Sequence, residues 1–454
     1  MRGLIAKKSF QGSIRRGSKS SVKASLAETS WGKVLVYLVS PGASAMGHNR
    51  EYVHKIGNGL VRKEKFRVIV VAGGDYRPSE AWGRQEYEAI RFKGIDFGRT
   101  EAKRFAGLGR LAFVARGIVR LSLNMRFMQQ FNRLLGKEKG PAIVHILDYE
   151  YISLWLGSFS WGKRSSIAIV LTGHLADFDR SLLSIRGIYK RIVKYLWGKC
   201  IVQSGAIIIH GEEIKRRLLK QLPNGSCNSR KMIIAQYPAD EEGAIISKAQ
   251  ARERLGIPED VKVVLFFGMI RPDKRLDVII KACALCDPSI WLVIAGSPQL
   301  VSESKIDGWL ANANLVRRSV RELRYIGDEE IALFYSCADI FVATHDGTFC
   351  SQSGPLSLCR TYRLPAVVSD VAEIGQFIKR HGLGLTASPG DPKSFADAIN
   401  HLLSNENEYK TIQVALEKAA YAFSWDRFCS TLEEAYLYAL GQGTKSDRLH
   451  RWAR

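Results

Sequence analysis

Two cations three residues apart, Arg271 and Lys274, follow an apolar run at 263–267 and the turn residue Gly268. The guanidinium of Arg271 can bind two phosphate oxygens at once, whereas the Lys274 ammonium is a compact point charge. Together they can neutralise a diphosphate leaving group. Taken alone, the segment is equally consistent with a basic turn that only faces solvent.

A second turn with phosphate-binding character follows another apolar run, at 340–343. Here Gln352, Ser353 and Gly354 precede Pro355, a residue that suits the first position of a helix. The free backbone N–H groups and the positive end of the helix dipole could then hold a phosphate. Ordinary helix capping by Ser353 is the alternative. Two such turns in one half of the chain favour diphosphate binding.

Both turns belong to a pattern of short apolar runs that alternate with longer amphipathic segments, which is typical of βαβ units and parallel sheets. A first series of predicted strands occupies residues 34–40, 68–72, 143–147, 167–171 and 206–210. A second series occupies residues 263–267, 290–295, 323–326, 340–343 and 366–369. We therefore predict an α/β fold with two Rossmann-like, doubly wound domains and a ligand cleft at the carboxyl ends of their strands.

The domain boundaries follow from this repeat and from the polar, turn-forming segment near residue 239. We predict an N-terminal domain at 31–238 and a C-terminal domain at 239–423. A last helix at 424–440 is expected to pack back toward the N-terminal domain, and 441–454 is expected to be a tail. Residues 1–30 are basic and rich in serine, which favours a flexible tail, with a transit peptide as the alternative.

Charge is distributed unevenly along the 454 residues. Residues 1–240 contain 42 lysines and arginines against 17 acidic residues, whereas residues 241–454 contain 25 against 27. The positive N-terminal half should attract anionic surfaces, either a membrane face or a polyanion. We do not expect nucleic acid as the partner, because no nucleic-acid-binding motif accompanies the charge. The close pair Cys283 and Cys286 has no second pair with zinc spacing, so buried thiols are expected there.

Several segments of the second half resemble retaining glycosyltransferases of family 4, most closely the bacterial branch with a QSG motif. The resemblance covers about residues 255–440 and rests on FFGMIRPDKRLDVIIKA, IWLVIAGSP, LRYIGDEEIALFYSCADIFVATH, SQSG, LPAVVSDVAEIGQFI and SPGDPKSFADAI. It implies the GT-B fold, with two Rossmann-like domains and the active site between them. The N-terminal domain would lie on the acceptor side, and the C-terminal domain would bind the nucleotide sugar. It also implies transfer from a nucleoside-diphosphate sugar without a metal ion or other cofactor.

The resemblance assigns roles to particular residues. Arg271 and Lys274 would act in catalysis by binding the donor diphosphate. His174, after the fourth predicted strand, would be a third catalytic residue, because the family has a histidine there that reaches the donor sugar and the acceptor. Further donor-binding residues are implied at Gly268, Gly296, Ser297, Tyr325, Ile326, Gln352, Ser353 and Gly354.

The first domain contributes further candidates from its residues alone. The loop after the first strand contains Gly47 and His48, and its glycines would let the backbone approach a diphosphate. A plain tight turn is the alternative. At the end of the third predicted strand, His145, Asp148 and Glu150 are candidates on the acceptor side. His174 itself could be structural rather than functional.

Five positions depart from the family pattern. Two glutamates eight positions apart, one for the sugar and one for the ribose, are replaced by Cys350 and Leu358. Two expected glycines are Arg275 and Arg363, and an expected glutamate is Gln376. The QSG branch also lacks the two glutamates, so their absence alone does not indicate an inactive protein. The five differences together bear on donor affinity and base preference.

One helix of the basic half is amphipathic. Its predicted apolar stripe contains Ile185, Ile188, Tyr189, Ile192 and Leu196, and Arg186, Lys190 and Lys194 form a basic ladder. Such a helix can lie on an anionic bilayer. A helix that packs on the core and exposes only its basic face is the alternative.

These observations predict an enzyme of bacterial polysaccharide or glycolipid biosynthesis, cytoplasmic and peripheral on the inner face of the membrane. It would transfer a sugar to a glycan or lipid-linked acceptor with retention of configuration. A non-catalytic GT-B scaffold is one alternative. A sugar-nucleotide epimerase or phosphorylase on the same fold is the other.

Overall fold

The structure of the chain is a computed structural model. It describes residues 33–44, 49–79, 82–97, 111–159, 161, 166–174, 178, 185–222, 228–244, 246–347 and 349–442. Two parallel sheets flanked by helices make up these residues. The α/β fold class with two doubly wound domains is therefore confirmed.

The first sheet has the strand order β3-β2-β1-β4-β5-β6-β7, and all neighbouring strands are parallel. Its strands are β1 (Val34–Ser40), β2 (Phe66–Gly73), β3 (Glu88–Phe92), β4 (Ala142–Ile146), β5 (Ile167–Gly173), β6 (Ala206–Ile209) and β7 (Met232–Ile234). The chain reverses its direction of progress across the sheet between β1 and β4. Ligands of such sheets bind at the carboxyl ends of the strands beside this switch point.

The second sheet has the order β10-β9-β8-β11-β12-β13, again with parallel neighbours. Its strands are β8 (Lys262–Phe267), β9 (Ile290–Ala295), β10 (Ser319–Glu322), β11 (Ile340–Ala343), β12 (Ala366–Ser369) and β13 (Gly384–Ala387). Here the switch point lies between β8 and β11.

Helices cover both faces of the sheets, so the central strands are buried on both sides and nearly all apolar. Those of the first domain are α1 (Asn49–Val61), α2 (Leu111–Leu135), α3 (Tyr151–Ser158), α4 (Ile185–Gln203) and α5 (Glu212–Gln221). Those that follow are α6 (Lys248–Leu255), α7 (Leu276–Leu285), α8 (Glu303–Asn312), α9 (Ile331–Cys337), α10 (Gly354–Thr361), α11 (Ala372–His381), α12 (Pro392–Ser404), α13 (Glu406–Ala422) and α14 (Trp425–Gln442).

All the predicted strands except one are confirmed to within a few residues. The strand predicted at 323–326 is wrong, because β10 lies four residues earlier, at Ser319–Glu322. Strands β3, β7 and β13 were not predicted. Cys283 and Cys286 are buried free thiols, as expected.

Two crossings connect the domains, and they lie side by side. The backbone N–H of Ala239 donates to Phe423 O (3.1 Å), so the outgoing and returning segments are hydrogen-bonded. The buried Arg360 fixes the first crossing, since its Nη2 donates to Tyr237 O (2.6 Å). After the second crossing α14 returns to the first domain, where Tyr436 packs in the same buried cluster as strands β1 and β6.

Among the helices that the structure describes, none is both long enough and apolar enough to cross a bilayer.

Candidate active site

The loops that follow β8 and β11 meet at the switch point of the second sheet. Thr344, directly after β11, donates its hydroxyl hydrogen to Lys274 O (2.6 Å), and the backbone N–H of Asp346 donates to Asp273 O (3.0 Å). These bonds tie the loop after β11 to the turn that carries Arg271 and Lys274. The two segments therefore form one structural unit at the place where ligands bind sheets of this kind.

Glycine is required at two positions in this unit. Gly268 has a φ of +100°, and a Cβ on it would lie 3.2 Å from Lys274 Nζ and 3.0 Å from Pro355 Cγ. Gly296 has a φ of +149°, and a Cβ there would lie 2.0 Å from Gly268 O. Only glycine adopts these conformations without strain. Gly268 is thus surrounded by the Lys274 ammonium and the start of α10, which brings the two predicted phosphate-binding turns together.

The two cations have different environments. The Arg271 guanidinium is partly exposed and pairs with Asp273 (3.0 Å), while its Nε is buried and has no hydrogen-bond partner. Burial and the neighbouring charge of Arg271 lower the pKa of Lys274 to about 8. Two positive charges held this close repel each other, and an anion between them would relieve that repulsion.

Ser353 is the N-cap of α10, and its hydroxyl accepts from the backbone N–H of Leu356 (3.4 Å). Gly354 is the first residue of that helix and is followed by Pro355. Ordinary capping by Ser353 is therefore present, and it leaves the N–H of Gly354 at the positive end of the helix.

The structure places Gln352 at the domain interface. Its Nε2 donates to His210 O (2.7 Å), and the neighbouring Ser351 hydroxyl donates to His174 O (2.9 Å). The residues just before α10 thus bind backbone carbonyls of the first domain. The QSG segment therefore connects the predicted phosphate-binding turn to the first domain.

His174 lies directly after β5 on that opposite wall. Its Nε2 lies 2.6 Å from Leu147 O, so this nitrogen is assigned the proton that it donates. The rings of His174 and His210 are 5.1 Å apart, and burial lowers the pKa of His174. The ring is thus neutral and fixed in orientation at the edge of the cleft.

The remaining donor-side candidates lie at the ends of β9 and β10. Ser297 accepts at its carbonyl from the N–H of Ile270 (2.9 Å), which joins the two loops that begin at Gly268 and Gly296. Ile326 is buried, whereas the ring of Tyr325 is 40% exposed. Burial and the nearby Asp328 raise the pKa of Tyr325.

The acceptor-side candidates differ in whether the fold already uses their side chains. His145 is buried and bonded to Tyr436 (2.7 Å) and Thr172 (2.8 Å), and Glu150 caps α3. Both side chains are therefore used by the fold. Asp148 differs, since one oxygen accepts from Gly42 N–H (2.8 Å) and the other is buried without a partner. Burial raises the pKa of Asp148 to about 6. Gly47 and His48 lie outside the described residues.

The two departures at expected glycines have the same physical basis. Arg275 and Arg363, which stand where glycines were expected, have φ values of +42° and +52°. The left-handed backbone that favours glycine is thus kept although the side chains are large. Arg275 points away from the site and pairs with Asp277 (2.9 Å), and Arg363 donates to Thr361 O (3.1 Å). Of the two positions without glutamate, Cys350 is buried.

Two buried polar residues near the cleft were missed by the sequence analysis. His345 is the second residue after β11, and Glu373 lies in the first turn of α11 against the first domain. The position of His345 after a strand at the switch point was a signal that could have identified it. Glu373 carried none, because only the tertiary structure buries it.

Comparisons with known proteins agree with this architecture. Residues 247–419 match the family model described as "Glycosyl transferases group 1". The D-inositol 3-phosphate glycosyltransferase of Thermobispora bispora is 29% identical over 278 residues, which are 54% of this chain and 61% of that protein. The match thus spans less than two thirds of this relative.

Solved structures share the fold across both domains. Sucrose-phosphate synthase from Thermosynechococcus elongatus superposes with a TM-score of 0.68 at 17% identity, covering 89% of this chain and 98% of that one. Anabaena Alr3699/HepE, solved in complex with UDP-glucose, gives 0.64 at 14% identity, covering 89% and 99%. The resemblance to family 4 is thus confirmed. With the fold of both domains and the match of the second, the chain has the GT-B fold, and its C-terminal domain belongs to the glycosyl transferases group 1 family.

Proposed function

We propose that this chain transfers a sugar from a nucleoside-diphosphate sugar to a glycan or lipid-linked acceptor, with retention of configuration and without a metal ion. The observation that carries the proposal is the convergence of Arg271, Lys274 and the start of α10 around Gly268. One cationic turn or one helix end would be weak support. The two together place two cations and a helix N-terminus around one glycine, which is the arrangement that a diphosphate would need.

The chemistry required of this site is stabilisation of a leaving group. As the bond between the sugar and the diphosphate breaks, negative charge accumulates on the phosphate oxygens. Arg271, Lys274 and the N–H of Gly354 are oriented before the reaction, so they can stabilise that charge without reorganisation. These protein cations would take the part that a divalent metal plays elsewhere.

The opposite wall would hold the sugar and the acceptor. A neutral His174 can exchange a hydrogen bond with a sugar hydroxyl. Asp148 is a second candidate there, because its unpartnered oxygen could accept from an acceptor hydroxyl. The nucleoside would lie against Ser297, Tyr325 and Ile326.

Peripheral contact with an anionic membrane is part of the proposal, at the inner face of the cytoplasmic membrane. Part of the expected apolar stripe of α4 does not pack on the core. Ile188, Tyr189 and Ile192 are exposed, and Tyr195 and Val202 extend the exposed stripe along the helix. Leu196, the last residue of the expected stripe, is buried, as are Val193, Trp197, Cys200 and Ile201 on the core side of α4.

Helices α2, α3 and α4 pack side by side, and their outer face forms one apolar and basic surface. Ile118 and Phe159 are exposed on or just after the neighbouring helices, and Lys190 and Lys194 lie beside the α4 stripe. Apolar side chains surrounded by lysines fit the boundary between headgroups and acyl chains, and each basic residue near that surface contributes about 1 kcal/mol. A lipid-linked acceptor would be reached from such a position.

A donor screen on the full chain tests the function. Release of sugar from UDP-glucose, UDP-galactose and GDP-mannose is measured with and without acceptors. We expect turnover of at least one donor, and a loss of about a hundredfold in Arg271→Ala and in Lys274→Ala. Arg275→Gly is the matched control, since it removes a cation of the same turn that points to Asp277.

Unchanged turnover in both alanine variants would show that the site is wrong. The absence of both family glutamates favours the non-catalytic scaffold as a second candidate. Calorimetry separates the two, because a scaffold need not bind any of these donors. Turnover that requires inorganic phosphate would identify a phosphorylase, and a change of donor without acceptor an epimerase.

A further inference from the structure

His345 is a buried histidine beside the proposed diphosphate site. It is the second residue after β11, on the loop that is hydrogen-bonded to the Arg271–Lys274 turn. Only 2% of its surface is exposed, and its Nδ1 is buried without a hydrogen-bond partner. A buried polar atom without a partner costs about 1–3 kcal/mol, so such an atom at a ligand site suggests that the ligand supplies the partner.

The backbone of His345 is fixed by one neighbour, and its ring packs against another. The backbone N–H of His345 donates to Ser369 Oγ (2.9 Å), and the Ser369 hydroxyl donates back to His345 O (3.0 Å). The ring of Phe349 packs against the imidazole, with centroids 3.9 Å apart. Phe349 therefore restricts the rotation of the imidazole.

Two cations act on this ring. Burial, followed by the charges of Lys274 and Arg271, lowers the pKa of His345 to about 3. The nearby acidic groups are Asp273, which already pairs with Arg271, and Asp346 on the same loop. Without a ligand the imidazole is thus neutral at physiological pH. Burial keeps it neutral, and the charges of Lys274 and Arg271 add to this effect.

We propose that His345 binds the donor diphosphate through its ring N–H and takes up one proton from solvent when the diphosphate enters the site. The physical reason is charge balance. A dianion between Arg271 and Lys274 cancels their two charges, and it also supplies an opposite charge that offsets the cost of a buried imidazolium. The imidazolium then forms a charge-assisted hydrogen bond to a phosphate oxygen. This inference rests on the proposed function and identifies a further residue of the same site.

The proposal has a consequence for the chemical step. The leaving diphosphate gains negative charge when its bond to the sugar breaks, and an imidazolium placed beside it before that moment would stabilise this charge. His345 would therefore act on both donor affinity and turnover.

Proton uptake on binding can be measured without any variant. Calorimetric titration with UDP-glucose and GDP-mannose is run at about pH 6 in two buffers of different ionisation enthalpy. Sugar diphosphates do not titrate near this pH, and Lys274, with its pKa of about 8, is already protonated. We expect a binding enthalpy that depends on the buffer and corresponds to uptake of roughly one proton.

His345→Gln keeps a polar side chain but cannot take up the proton. We expect this variant to lose the buffer dependence and to bind the donor about tenfold more weakly. His174→Gln tests the other histidine of the cleft. Proton uptake that disappears in His174→Gln and persists in His345→Gln would assign the proton to His174 and overturn the proposal. A melting temperature close to that of the unmodified chain verifies that the variant is folded.

Donor binding of equal strength and equal proton uptake in His345→Gln would overturn this proposal while leaving the proposed function intact. Tight binding to the unmodified chain without any buffer dependence would overturn it as well. If no sugar nucleotide binds the unmodified chain, the proposed function fails, and this proposal fails with it.

Discussion

Glu373 of the C-terminal domain accepts a hydrogen bond of 2.8 Å from the backbone N–H of Glu213 in the N-terminal domain. The carboxyl group thus caps the first turn of α5 from the other side of the cleft. It is fully buried, its Oε1 has no partner, and burial raises its pKa to about 7. Gly211 is needed for this approach, since a Cβ there would lie 2.0 Å from the carboxyl carbon.

The first prediction concerns the pH dependence of stability. The native state holds the Glu373 proton up to about pH 7, whereas the unfolded chain releases it near 4.5. The contribution of Glu373 to stability is therefore lost as the pH rises from 4.5 to 7. Glu373→Gln, which resembles the protonated form, should be more stable than the unmodified chain at about pH 8, by on the order of 2 kcal/mol.

Differential scanning calorimetry at about pH 5 and pH 8 measures this difference. At the lower pH the two proteins should melt together, because the carboxyl group is then protonated in the native state. A Glu373→Gln protein that melts lower at both values would contradict the assignment.

The second prediction concerns Gly296. An alanine there would place its methyl group 2.0 Å from Gly268 O, so the β8 and β9 loops would have to separate. We expect Gly296→Ala to lose about 3 kcal/mol of stability and most of its donor binding. Gly308→Ala in α8 is the matched control, since nothing lies within 4 Å of its added Cβ and alanine favours a helix. Urea unfolding of both variants gives the comparison; equal midpoints would argue against the close packing.

The third prediction concerns the pH profile of donor use. With a pKa of about 8, Lys274 loses its charge as the pH rises through that value, so kcat/KM for the donor should fall above pH 8. Lys274→Arg carries a charge that does not titrate in this range. Its alkaline limb should move upward by more than one pH unit, even if its activity is lower. An alkaline limb at the same pH in both enzymes would assign it to another group.

The fourth prediction concerns membrane contact. Ile192 on α4 is 49% exposed and Val414 on α13 is 51% exposed, so Ile192→Glu and Val414→Glu add the same charge at equally exposed sites. Only the first should weaken co-sedimentation with vesicles that contain anionic lipid, by about tenfold. Equal binding of both variants, or equal binding to neutral vesicles, would refute the surface defined by α2, α3 and α4.

The fold could be predicted from sequence where strands are buried on both faces. The strands that were missed or misplaced, β3, β7, β10 and β13, are the four edge strands of the two sheets. An edge strand packs on fewer neighbours, so its sequence can be polar: β10 reads SVRE and β3 reads EAIRF. The segment at 323–326 (LRYI) is more apolar than SVRE, so the strand was predicted four residues too late in the sequence.

The site was predictable only in part, for a related reason. Arg271 and Lys274 could be proposed from the sequence because their side-chain chemistry is specific in itself. His345 and Glu373 depend on burial and on the lack of a partner, which arise only when distant segments pack together. Arg275 and Arg363 keep the left-handed backbone expected of the glycines they replace. The residue type does not predict this conformation.

The return of α14 to the first domain has a consequence for how the protein is made. Phe428, Leu432 and Tyr436 belong to the same buried cluster as Val36 on the first strand. During synthesis on the ribosome, the part of the first sheet that α14 covers therefore stays exposed until residues 425–442 have been translated. The core of the second domain contains no residue of the first domain. The second domain can therefore fold before α14 packs on the first.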